Sequence, residues 1–179
     1  MALFTGKGDG GTTKAFDSAP GVRISKASPL PEALGTLDEL NAFLGYVRMR
    51  ADGEERIANI LRDTQEKLFI VQAELAGSDK QLPEGTVQGV EDIVNGIEEE
   101  IPPLKGFSVA GGTELSSLLD VARTTARRAE RRATTVADEG IRDISPETKA
   151  YLNRLSSLLF ALARLANHEA GVEEENPRY

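Results

Sequence analysis

TELSSLLDVARTTARRAERRATTVAD, Thr113 to Asp138, decides the fold class. Leu115, Leu118, Leu119, Ala122, Ala126, Ala129 and Ala133 recur at three- and four-residue intervals, the period of an amphipathic helix. The alanines on this stripe allow a neighbouring helix to approach closely, and Thr113 is suited to capping the first turn. Upstream, GFSVAGG (Gly106 to Gly112) places glycines on both sides of a short apolar piece, a loop that can carry Phe107 and backbone amides towards a ligand. Before it, Pro102 and Pro103 close an acidic helix expected over about Thr86 to Glu100. A longer helix is expected from Glu54 to Ala76, with Ile57, Ile60, Leu61, Leu68, Val71 and Leu75 as its stripe and Gly77 as its stop. The first helix begins near Pro31, presents Leu34, Leu37, Leu40, Leu44 and Val47, and ends by Gly53. Downstream of the Gly140 turn, Ser145 and Pro146 open a fifth helix that ends near Gly171, with Leu152, Leu155, Leu159 and Leu162 in its core.

Five helices on short connections, with no alternating strand pattern, predict a single all-α domain, a five-helix bundle. Residues 1–29 are expected to form an ordered glycine-rich loop, 30–171 the bundle, and 172–179 a mobile acidic tail.

Composition removes several kinds of chemistry. Without cysteine there is no disulfide, no thiolate zinc site and no cysteine nucleophile. His168 is the single histidine, which excludes a His dyad or a multi-His metal site within one chain, and Leu165 stands where a di-iron Glu-x-x-His pair would need glutamate. His168 is assigned a structural or surface role. A net charge of −8 disfavours non-specific adhesion to nucleic acid or anionic membrane. The best apolar run, Leu158 to Ala166, is short and broken by Arg164, and MALFTGKGDGG does not look like a leader peptide. A soluble, cytoplasmic protein is expected. Against this acidic background, five arginines and one glutamate fall between Arg123 and Arg132, a local anion site or a solvated face with scattered ion pairs.

Three constellations could carry chemistry. In FTGKGDGGTTK (Phe4 to Lys14), Gly6, Gly8, Gly10 and Gly11 let the backbone curl around an anion while Thr5, Lys7, Thr12, Thr13 and Lys14 add donors. This is no Walker A loop, since no strand precedes it and the lysines stand in the wrong places; a mobile glycine-rich terminus fits the residues as well. Asp9 could hold a magnesium-bound water or stabilise a turn. On the fourth helix, Arg123, Arg127 and Glu130 share one face beside the alanine seam, where a triphosphate or carboxylates of a neighbouring helix or subunit could pair the arginines. Arg128, Arg131 and Arg132 partly turn away from that face. On the fifth helix, Asn153 and Ser157 flank the leucine stripe, where Asn153 could meet a nucleotide or make an interhelical bond.

In this order along nearly the whole chain, FTGKGDGGTT, ALGTLDELNAFLG, GFSVAGGTELSSLLDVARTTARRAERR and YLNRLSSLLFALAR resemble the PduO-type ATP:cob(I)alamin adenosyltransferases. The resemblance implies a homotrimer in which ATP and a corrinoid meet at each subunit interface. It implies that Thr5, Gly6, Lys7, Gly8, Asp9, Gly10, Gly11, Thr12 and Thr13 wrap the nucleotide and that Lys26 of RISK touches its phosphates. Arg127, Arg128, Glu130, Arg131 and Asn153 would complete the site, with magnesium carried by the phosphates and Glu130 as its candidate protein ligand. Asp38 resembles an interface carboxylate paired with Arg123, and Phe107 resembles the aromatic that covers the lower corrin face. Ala110 departs from the proline usual before the paired glycines.

The activity implied is transfer of the 5′-deoxyadenosyl group of ATP to reduced cobalt, with a reductase upstream and a cobalamin-dependent acceptor enzyme downstream. A binding or delivery protein for ATP or a corrinoid would need less than this whole set, and a purely structural bundle would need none of it.

Overall fold

The computed structural model describes residues 4–178; residues 1–3 and 179, the extremes of the expected loop and tail, lie outside. Five helices follow one another: α1 (Pro29–Arg50), α2 (Glu55–Ala76), α3 (Thr86–Glu100), α4 (Glu114–Asp138) and α5 (Pro146–Glu169). Their ends follow from local chemistry. Thr113 and Ser145 accept hydrogen bonds from the amides of Ser116 and Thr148, satisfying donors that the first turns of α4 and α5 leave open. Gly77 ends α2 at φ 98°, with Ser78 N bonded back to the carbonyl of Ala73. Helix α1 starts at Pro29, two residues before the expected Pro31, and so brings Leu30 into the core.

Ion pairs spaced along the helices mark their directions. Arg50–Glu114, Arg128–Glu39 and Arg132–Glu32 run α4 antiparallel to α1. Arg154–Glu91, with Val87 N donating to Glu147 and Arg164 donating to the Pro102 carbonyl, makes α3 parallel to α5. Asn153–Glu130 and Thr113–Asn167 make α5 antiparallel to α4. Between them lie the fully buried Leu37, Leu40, Leu44, Leu61, Leu68, Leu155 and Leu159, each stabilising the fold by about 1.5–3 kcal/mol. Ala122, Ala126, Ala129 and Ala133 form the buried seam of α4. Glu74, 6% exposed, accepts from Ser145 N and the Thr148 hydroxyl and ties α2 to the start of α5.

The bundle therefore has two distinct ends. One gathers the start of α1, the end of α2 and the α4–α5 turn; the other gathers the start of α4, the end of α5, the 101–112 loop and the chain's last residues. Two departures from the sequence reading fall at these ends. Ahead of α1, Thr12–Thr13 (β1) pairs antiparallel with Ile24–Ser25 (β2), a ladder too short to show as alternation. Beyond α5, Glu174, Glu175 and Asn176 are hydrogen-bonded to Arg164 and to the 107–109 loop, contacts that the reading of residues 172–179 as a tail did not include.

Candidate functional site

At the first end, the glycine-rich segment folds as two successive turns, Asp9 N to Gly6 O and Gly11 N to Gly8 O, with Gly6 and Gly11 at positive φ. The β1–β2 pair closes it, and Lys26 N bonds the Gly11 carbonyl. Lys26 then reaches across the loop: a Cβ built on Gly8 would lie 3.0 Å from its ammonium. The structure thus brings Lys26 onto the Gly8 backbone, although eighteen positions separate them. Thr5, Gly6, Lys7, Asp9, Gly10 and Gly11 are exposed, while Gly8, Thr12 and Thr13 are half-buried. Arg23 was not assigned from sequence, yet its guanidinium holds both the hydroxyl and the carbonyl of Thr12, at 2.8 and 2.7 Å. Asp17, bonded to Arg142 beyond α4, anchors this arm to the bundle.

In the bundle itself, Glu130 of α4 and Asn153 of α5 meet: Asn153 Nδ2 donates to Glu130 Oε1 at 2.9 Å. Arg154 donates to Asn153 Oδ1 at 2.7 Å and to Glu91, which fixes the amide's orientation. A cavity of about 200 Å³ opens beside Glu130, between Thr134, Lys149 and Leu152. Arg127 and Arg131 are exposed and make no side-chain hydrogen bond or ion pair among the described residues. Two free guanidinium groups beside an oriented carboxylate and amide suit an anion that carries a metal or a hydroxyl.

Three further residues read from the sequence make other contacts, or none, within the chain. Arg128 is engaged by Glu39 at 2.5 Å, and its buried Nε has no partner. Arg123 does not pair with Asp38 within the chain. The antiparallel register sets Arg123 level with about Ala42 of α1, a turn from Asp38, so its Nε bonds Asp120 at 2.8 Å instead, and the guanidinium lies 5.7 Å from the centre of the Phe160 ring. Asp38 is exposed and unpaired among the described residues.

Phe107 belongs to the other end. Its ring is 77% exposed, and it precedes α4, whose 25 residues span roughly 37 Å. Gly111 and Thr113 are clamped by Asn167 of α5, which donates to the Gly111 carbonyl and accepts from Thr113 N. Gly112, at φ 109°, leaves room for this clamp, since a Cβ there would collide with the Asn167 amide.

Fold and site together define a class: an all-α bundle with a cationic glycine-rich arm at one end and an aromatic loop at the other. A family model described as cobalamin adenosyltransferase matches residues 3–166. The chain belongs to this family. It is similar to a corrinoid adenosyltransferase PduO of Citrobacter freundii, with 38% identity over 95% of this chain and 51% of that protein. It is also similar to the corrinoid adenosyltransferase of Bacillus subtilis, with 37% identity over 96% of this chain and 90% of that one. Thus the chain spans about half the length of the Citrobacter relative and nearly all of the Bacillus one. Among solved structures it superposes with TM-score 0.91, 29% identity and coverage of 99% and 97% on a phenylalanine-to-histidine variant of the PduO-type ATP:corrinoid adenosyltransferase from Lactobacillus reuteri, complexed with cobalamin and ATP.

Proposed function

We propose that this protein is an ATP:corrinoid adenosyltransferase that moves the 5′-deoxyadenosyl group of ATP onto the cobalt of a reduced corrinoid. One observation carries it: the family match over residues 3–166 takes in the glycine-rich arm, the Arg127–Glu130–Asn153 cluster and the Phe107 loop together. The Lactobacillus relative's complex with cobalamin and ATP supports the choice of substrates.

In this reading cobalt(I) attacks the ribose C5′, a cobalt–carbon bond forms, and the C5′–oxygen bond breaks with its electron pair leaving on triphosphate. The chain supplies no nucleophile. Its work is alignment and the stabilisation of charge on the leaving group. Thr5 to Thr13 and Lys26 enclose the phosphates, Arg127 and Arg131 meet them with free guanidinium groups, and Asn153 orients Glu130. Among the described residues no three acidic or histidine side chains gather in a metal cage, and Glu130 offers a single carboxylate. Glu130 would be the protein ligand of a magnesium ion carried by ATP, and the ion would supply neutralisation of charge on the leaving triphosphate.

Phe107 covers the lower corrin face and keeps water or a base off cobalt, which makes cobalt(II) easier to reduce. Its distance along α4 from the glycine-rich arm, with the exposure of Asp38 and Arg127, supports sites that lie between copies, in the homotrimer that the family resemblance implies, where Asp38 of one copy meets Arg123 of the next. The protein works in the cytoplasm between a reductase that delivers the electron and an acceptor enzyme that uses the product. No described helix is long and apolar enough to cross a membrane.

The test is an anaerobic absorbance assay with pre-reduced cobalamin, magnesium and ATP. Loss of the cob(I)alamin band and growth of a light-sensitive adenosylcobalamin spectrum, dependent on ATP and protein, is the expected result. Folded protein that binds both ligands without forming product would leave a delivery role instead.

A further inference from the structure

Among the described residues, every hydrogen bond made by residues 102–110 goes to Arg164 or to residues 175–176. The loop that carries Phe107 therefore has no internal scaffold. Its anchor is Arg164, only 7% exposed among the apolar last turns of α5. The guanidinium donates to both oxygens of Glu174, at 2.8 and 3.1 Å, and to the carbonyl of Pro102 at 2.6 Å. A cation this buried is costly without partners, so tail and loop satisfy it jointly. From that clasp the tail runs along the loop: Val109 N donates to the Glu175 carbonyl, and Asn176 Nδ2 donates to the Phe107 carbonyl, both at 2.8 Å. A cleft of about 530 Å³, lined by Leu104, Ser108, His168 and Val172, lies between loop, helix and tail. With this open space beneath it, the loop is held by hydrogen bonds more than by packing.

We propose that Arg164 is a positioning residue for Phe107, acting through a strap formed by Glu174 to Asn176 that holds the Phe107 loop in place. The inference rests on Phe107 covering the lower corrin face. Losing the strap leaves Phe107 in the chain but lets the loop swing, so the lower ligand of cobalt returns.

The test is the paramagnetic resonance spectrum of cob(II)alamin bound to the protein with ATP, which reads the ratio of cobalt with and without an axial nitrogen. Glu174→Ala leaves α5 intact and shifts this ratio towards nitrogen-bound cobalt by about tenfold, the scale of one charge-assisted pair. Glu174→Asp restores part of the shift, Asn176→Ala gives a smaller one, and the KM for ATP stays unchanged in all three. In a Phe107→Ala background Glu174→Ala has no further effect, because the strap acts only through the ring it holds. If Glu174→Ala leaves the ratio unchanged while Phe107→Ala alters it, the strap is refuted and the role of Phe107 stands. An equal Glu174→Ala shift in both backgrounds would show that the tail acts on the corrinoid directly, which also overturns the proposal. No change from Phe107→Ala itself would remove the role of Phe107 and the strap with it.

Discussion

The two ends of the bundle solve the problem of presenting a flexible segment in opposite ways. At the glycine-rich arm, Gly8 faces the tip of Lys26, a long side chain free to shift, and along α4 the cations Arg127 and Arg131 are unengaged among the described residues. At the Phe107 loop, Gly112 faces Asn167, a buried amide locked by two backbone bonds, and the segment beyond is bound by Arg164 and the tail. A charged ligand can finish the first end when it arrives, since charges act over distance and adapt. An aromatic ring shields one face of a metal only if its backbone is already in place.

The comparison breaks most sharply at the unengaged cations of α4. Arg127→Ala should lower turnover by about 100-fold or more, the scale of losing one preorganised charge partner in a transition state, while far-ultraviolet circular dichroism stays unchanged. Turnover close to wild type would leave the Arg127 face without a catalytic role. At the aromatic end, Phe107→Ala should slow reaction from cob(II)alamin more than from pre-reduced cob(I)alamin, and equal losses from the two starting states would contradict a lower-face role.

The glycines sharpen it further. Gly112→Ala combines a positive φ with a collision at Asn167 and should destabilise the fold by about 2 kcal/mol, read in urea unfolding. Gly8→Ala presses on the movable end of Lys26, with the Thr12 carbonyl at an ordinary contact distance of 3.4 Å, and should cost under about 0.5 kcal/mol, its effect falling on the KM for ATP instead. Equal stability losses would mean the arm is as rigid as the loop.

The smallest expected effect is at Glu169, beside Glu54 at the aromatic end. Partial desolvation, then the neighbouring carboxylates of Glu54 and Glu100, hold its pKa above the ordinary 4.5. The folded chain keeps this proton more tightly than the unfolded chain, so stability falls as pH rises through the window that begins near 4.5. Glu169→Gln should therefore raise the melting midpoint slightly at pH 7, and the gain should vanish on acidification below that window.

Periodicity and caps made the helices legible because both are local: Thr113, Ser145 and Gly77 mark their ends within one turn of chain. The pairing of Glu130 with Asn153 was legible only in part, since each lies beside an apolar stripe but the register joining α4 to α5 is tertiary. Within the chain Arg123 bonds Asp120, one helical turn away, so the interface pairing with Asp38 that the resemblance implies is not legible from one copy. The strap was illegible from composition, which describes an acidic tail as solvated. Its one signal was Arg164 inside an apolar run, a charge that had to find a partner, and Glu174 stands ten residues on. Arg23 had no signal beyond its place in RISK, because the two-residue ladder that brings it to Thr12 is too short for a pattern.

The most direct measurement of the central claim is phosphorus resonance of the products formed from ATP, magnesium and cob(I)alamin under anaerobic conditions. Attack at C5′ predicts one inorganic triphosphate released for each adenosylated corrinoid formed, with neither appearing when the corrinoid is left out. Formation of ADP, or of diphosphate without a cobalt–carbon product, would place the reaction at a phosphate and contradict the account.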